Sequence, residues 1–291
     1  IFHFFSHKKY DLILIWKGFL TLRHICICDT MRTIALLILL GLMISSAAAH
    51  SLYAEFPQDT GPDSQTEFWI AYGHGGSADS QIESLPLARL ISPDGSESEL
   101  FFEPYQDGLK GSVAFDDPGC YILDLQMDTT LFDPASFGAA GKKSLVEKYG
   151  RVLMPYQSGE GYDWSSGKGL EIVPEADPYQ LKSGEDFRAR VLYDGKPVPG
   201  SYSAIITRSP EDVLVVQHAQ ESEISGESED GIISFATGRA GLWVLAYEAT
   251  IDESGTWTAV KDDPSENYKK GDQIEYEEVA PTAYLTFWVN D

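Results

Sequence analysis

Cysteine is scarce in this chain, three residues in 291. Basic residues are scarce as well: 21 Lys and Arg stand against 45 Asp and Glu, a formal net charge of −24. That balance leaves no basic face to neutralise a phosphate backbone, so nucleic-acid binding is not expected. It also argues against adhesion to an anionic membrane surface. The apolar stretch from Thr33 to Ile44 is well short of a membrane span, which needs roughly 20 residues. No P-loop, paired C-x-x-C, H-E-x-x-H, dinucleotide fingerprint or G-x-S-x-G elbow occurs, and with them go the chemistries those motifs carry. Asp262-Asp263-Pro264-Ser265-Glu266 lacks the spacing of an EF-hand loop. The chain is not expected to be an enzyme.

What is present begins with a targeting pattern. Met31-Arg32, the short apolar run and Ala47-Ala48-Ala49 form the charged start, apolar segment and A-x-A site of a secretory signal peptide. Residues 1–30 read as an upstream extension and 31–49 as the signal peptide, so the rest is expected outside the cytoplasm, periplasmic or on the outer face of the membrane. Residues 50–291 keep 16 basic and 43 acidic side chains and a single cysteine, Cys120. An exported segment with one cysteine has no internal disulfide. Cys120 follows a Pro-Gly turn into an apolar run and reads as a small buried residue.

Apolar residues make up 43% of the chain, enough for a packed core. They fall in short β-branched and aromatic runs such as Phe68–Tyr72, Tyr121–Leu125 and Leu242–Ala249. Turn residues such as Asp94-Gly95 and Asp194-Gly195 separate them. Phe187, Ala189, Val191 and Tyr193 alternate with Arg188 and Arg190, the period of a half-buried strand. The expected fold is all-β, with two immunoglobulin-like antiparallel β-sandwich domains at 50–158 and 168–291. Ser144–Tyr149 reads as a short helix. The Gly- and Ser-rich stretch 157–169, with Tyr162 and Trp164, reads as the connection between the halves.

Order and spacing along residues 49–289 add a resemblance. Ala49-His50-Ser51-Leu52-Tyr53-Ala54-Glu55, Tyr72-Gly73-His74-Gly75, Leu170–Tyr179, Val191–Gly200, Arg239–Trp243 and the closing Tyr284–Phe287 strand carry it. Together they resemble the exported periplasmic component of cobalt/nickel uptake systems, NikK- or NikM-like, much of which is described only as a domain of unknown function. The chain departs from that family near Leu52–Pro57, with Tyr53 and only Pro57 where Trp and Pro are usual. The resemblance implies an exported protein that captures Ni²⁺ or Co²⁺ and passes it to the membrane subunits of an uptake transporter.

The residues that would carry this chemistry are few. If the signal peptidase cuts after Ala49, His50 becomes the N-terminus, and its amine and imidazole chelate one ion with His74 as a further ligand. A cut after Ala47 instead leaves Ala48-Ala49-His50, an amine-amide-amide-imidazole set suited to square-planar Ni(II) or Cu(II). His74 lies between glycines that let the backbone approach a ligand. Glu55 is a candidate carboxylate ligand or a hydrogen-bond partner of an imidazole, and His218 is a further candidate at a strand end. The same nitrogen donors admit Cu²⁺, so copper handling is the alternative function. A metal-free Ig-like interaction module is the third.

Overall fold

The computed structural model describes residues 50–58, 65–73, 81–82, 85–208, 224–263 and 267–291. The chain divides into two compact units, Ile1–Ala49 and His50–Asp291, and the described residues belong to the second. The expected extension and signal peptide therefore lie outside them. No helix among the described residues is long and apolar enough to cross a membrane.

Among the described residues the elements are strands, as the all-β expectation requires, with 3-10 turns at Pro134–Phe137 and Pro178–Gln180. In chain order the first nine are β1 (Ser51–Glu55), β2 (Thr66–Gly73), β3 (Leu87–Ile91), β4 (Glu97–Glu99), β5 (Glu103–Tyr105), β6 (Gly108–Val113), β7 (Gly119–Gln126), β8 (Thr130–Phe132) and β9 (Ser144–Tyr156). After the 157–169 stretch come β10 (Leu170–Pro174), β11 (Asp186–Tyr193), β12 (Lys196–Pro197), β13 (Gly200–Arg208), β14 (Ile224–Ser228) and β15 (Ile232–Ala236). The last are β16 (Gly241–Ala249), β17 (Gly255–Thr258), β18 (Gln273–Tyr276) and β19 (Glu278–Val289).

The frame is a central sheet in the order β14-β13-β16-β19-β9-β7-β3-β4, with β8 added on β9. It is buried on both faces. Ile122, Leu153, Trp243, Leu245 and Phe287 point one way, into a core shared with Ile172, Phe187 and Val191 of the small β10-β11-β12-β15 sheet. Tyr121, Leu123, Val152 and Met154 point the other way, onto Leu52, Ala54, Phe68 and Ile70 of the β1-β2-β6-β5 sheet. The result is three β layers. A strand covered on both faces shows a continuous apolar run rather than alternation, as Gly241–Ala249 does. Tyr247 completes one core by donating from its hydroxyl to the Val198 carbonyl at 2.8 Å.

Strands from both expected sandwiches, 50–158 and 168–291, share this central sheet. The join is β9 with β19, paired in parallel from Ser144 opposite Glu278 to Val152 opposite Thr286, while the other ladders are antiparallel. The short helix expected at Ser144–Tyr149 is corrected to the first half of β9. Flanked by β19, β7 and β8, it takes its conformation from sheet neighbours rather than from local propensity.

The 157–169 stretch is packed rather than loose. Tyr162 and Trp164 rest against the larger core. Behind them lies an ion pair, Arg151 to Glu171 at 2.6 Å, with side chains only 5% and 4% exposed. The Glu171 carboxylate also accepts from the Ser165 hydroxyl at 2.6 Å and from the backbone N–H groups of Ser166 and Gly167 at 2.8 and 3.0 Å. Burial alone would push the Glu171 carboxyl up. The Arg151 charge and the Ser165 and Ser166 bonds outweigh it and hold the group below its ordinary range.

Candidate functional site

β1 is an edge strand of its own sheet, and its two ends are fastened to the central sheet by one neighbour. Tyr284 and Trp288 stand four residues apart on β19, so both project from the same face. The Tyr284 hydroxyl donates to the His50 carbonyl at 3.0 Å. The Trp288 indole N–H donates to the Phe56 carbonyl at 3.2 Å, with its ring edge-on to Phe56. Between these anchors Leu52 lies almost on β9: a Cβ at Gly150 would sit 2.7 Å from Leu52 Cδ2. Only glycine allows that approach.

His50 therefore sits at a fixed point. Its ring stacks on Tyr72 of β2, with centroids 5.5 Å apart and planes at 29°. The Lys148 ammonium of β9 lies 4.6 Å from the centre of the same Tyr72 ring, a cation–π distance. Burial pushes the Tyr284 hydroxyl well up, and neighbouring Tyr72 and Glu248 add to the shift. It stays protonated and keeps donating. β1, β2, β9 and β19 thus meet around the first residue of the compact unit.

The other sequence candidates have different fates. The β1–β2 ladder ends with Ser51 opposite Gly73, and His74 is the residue after Gly73, outside the described residues. His218 lies outside them too. Glu55 closes β1 opposite Trp69. Five residues of extended chain separate it from His50, about 17 Å, and the odd spacing turns the two side chains to opposite faces. The structure does not bring Glu55 and His50 together. Among the described residues no group of three or more His, Cys, Asp or Glu side chains is arranged to hold a metal ion. Cys120 is 2% exposed, and burial pushes its thiol far up. It is an unreactive core residue. In the acidic loop, Asp262 accepts from the Lys270 N–H and Asp263 from Asn267, turn bonds that engage both carboxylates locally.

Tyr72, Lys148 and Tyr284 were not singled out from the sequence. Tyr72 had one available signal, its place two residues before His74. Nothing local tied Lys148 or Tyr284 to His50, because they arrive from strands 98 and 234 residues away.

The family described as "Domain of unknown function (DUF4198)" matches residues 47–251. No curated protein matches the chain. Among solved structures it is similar to a chimeric titin Z1Z2-Z1Z2 tandem functionalized with a GRGDS peptide from fibronectin. The two are 12% identical over 81% of this chain and 97% of that one, with a TM-score of 0.21.

Proposed function

This chain belongs to the DUF4198 family, and on that footing we propose that it is an exported, non-enzymatic metal-binding protein. In this reading it captures Ni²⁺ or Co²⁺ outside the cytoplasmic membrane through His50 and presents the ion to the membrane subunits of an uptake transporter. The observation that carries the reading is the position of His50. It is the first residue of the compact unit, with its backbone carbonyl bonded to the Tyr284 hydroxyl and its ring stacked on Tyr72.

Cleavage after Ala49 creates an amine on the same residue as the imidazole, a five-atom reach that suits one late first-row ion. The described β1–β2 ladder ends with Ser51 opposite Gly73, and in sequence His50 and His74 are the residues next to that pair. Cleavage after Ala47 gives the square-planar alternative, in which His74 is dispensable. Glu55 is left out as a ligand because of its distance along β1.

The test begins with N-terminal sequencing of the exported protein, followed by titration of nickel, cobalt and copper. His50→Ala is expected to abolish tight binding of each. His74→Ala is expected to weaken it only when the N-terminus is His50. Binding should fade as pH drops below about 6.5, where an ordinary imidazole protonates. Processed His50→Ala protein that binds as tightly as wild type overturns the site. Copper but no nickel or cobalt in protein isolated from its native compartment overturns the choice of cargo.

A further inference from the structure

A second polar site lies on the opposite face of the central sheet from Leu52. There the larger core stops short, and the face formed by β3, β7 and β9 turns from apolar to polar. Arg89, Asp124 and Arg151 stand in one row across the three strands, and Gln126 lies in the next row. With Lys168 and Glu171 from the 157–172 segment they line a cleft of about 220 Å³.

We infer that this cleft binds a small organic carboxylate. Charge is the first reason. Three cations and two carboxylates line the cleft, and Glu97 reaches Arg89 from beside it at 2.8 Å, so the charges there balance in a chain whose net charge is −24. The two carboxylates are already engaged. Asp124 accepts from Arg89 at 2.8 and 2.9 Å, and Glu171 holds Arg151 and the Ser165–Gly167 turn. Lys168 and the Gln126 amide are the lining groups that make no side-chain hydrogen bond or ion pair among the described residues. An ammonium and an amide N–H₂ are two donors, the complement of a carboxylate's two oxygens.

Rigidity is the second reason. The Arg89 and Arg151 guanidiniums both rest on the Trp164 indole, 5.2 and 5.4 Å from its centre. Tyr149 packs so closely on Gly169 that a Cβ there would lie 2.5 Å from its ring, and Gly169 has φ +63°. The Gly169 N–H is in turn fixed to Asp194 at 2.8 Å. Walls built this way need little ordering when a ligand arrives. Size is the third reason. The cleft is smaller than the roughly 300–1,000 Å³ of sites for drug-sized ligands, which restricts the ligand to a small acid.

The experiment is calorimetric titration of the processed protein at low salt with acetate, succinate and citrate, and separately with inorganic phosphate. At least one carboxylate is expected to bind at one per chain and to shift the Trp164 indole N–H resonance. Lys168→Ala, an exposed position where folding is not at stake, should weaken binding about tenfold, and Gln126→Leu should weaken it severalfold. His50→Ala should leave it unchanged. No binding by any of the three acids, binding of phosphate alone, or affinity untouched by both cleft variants overturns the inference.

Discussion

His50 and Glu171 are both polar residues held at defined points, but by opposite means. Glu171 is held through its side chain: both carboxylate oxygens are taken up by Arg151 and the Ser165–Gly167 turn, between the central sheet and β10. His50 is held through its main chain, by a tyrosine hydroxyl on its carbonyl. The first arrangement leaves the group no further chemistry and makes it a fastener. The second fixes a residue by its main chain, with its ring stacked on Tyr72. A buried charge that satisfies itself is a structural device, whereas a functional ligand is better held by what surrounds it.

The largest effect that can break this comparison is at Glu171. Glu171→Ala leaves the Arg151 guanidinium buried without its partner, a change that costs about 3–5 kcal/mol. Urea unfolding should show the unfolding free energy falling by that amount, with the midpoint lowered in proportion. Replacing both partners, Arg151→Met with Glu171→Leu, should recover most of the loss, because no charge is then stranded. Recovery absent from the double variant would mean the Ser165–Gly167 turn, rather than the charge, dominates.

The same carboxylate sets a pH dependence, and its sign follows from the direction of its shift. The folded-state value lies below the ordinary 4.5. Its stabilisation is therefore complete above about pH 4.5 and is lost as pH falls through the depressed value. Unfolding midpoints of wild type and Glu171→Gln should converge as the pH is lowered from 5 towards 3. Glu147 works the other way: burial raises its carboxyl, despite hydrogen bonds from Tyr149 and Tyr193. Its contribution improves as pH falls through that raised value, which partly offsets the loss at Glu171.

Next in size is Gly150, the contact that seats β1. A methyl group there meets Leu52 at 2.7 Å, and overpacking of this kind costs about 1–3 kcal/mol. Gly150→Ala should lower the melting temperature, and combining it with Leu52→Ala should cost less than the sum of the two single losses, because the shorter side chain makes room. Two additive losses would show that the close approach at Gly150 is not what matters.

The strands themselves were readable because their signal is local. The burial of Phe187, Ala189 and Val191 against the exposure of Arg188 and Arg190 follows the alternation directly. Asp194 and Gly195, with φ of 50° and 77°, form the turn that an Asp-Gly pair announces. Cys120 proved a buried residue for the reason its neighbours suggested. What could not be read is long-range. Nothing in Ser144–Tyr149 reveals a parallel partner 134 residues later, so its Leu-Val-Glu-Lys sequence passes for helix. Glu171 sits in Leu170–Pro174 as the one acid of an apolar run, and its burial becomes intelligible only once Arg151 arrives from β9. At the candidate site His50 was visible as a histidine behind a cleavage signal. The residues that hold it come from three other strands.

The smallest expected effect tests that holding directly. Tyr284→Phe keeps the ring in the core and removes only the hydroxyl that donates to the His50 carbonyl at 3.0 Å. A neutral hydrogen bond of this kind contributes about 1 kcal/mol, and water can reach a half-buried carbonyl to replace part of it. The melting temperature should fall by about 2–4 °C for a unit of this size. Hydrogen exchange should report where: the amides of Leu52 and Tyr53 should exchange faster, while those of β16 remain as protected as in wild type. Because the hydroxyl acts on the backbone of His50 and not on its donors, nickel affinity should drop less than tenfold, against outright loss in His50→Ala. If Tyr284→Phe abolishes nickel binding while β1 stays protected, Tyr284 is itself a ligand, and the contrast between a fastened residue and a reacting one has to be redrawn with the tyrosine on the reacting side.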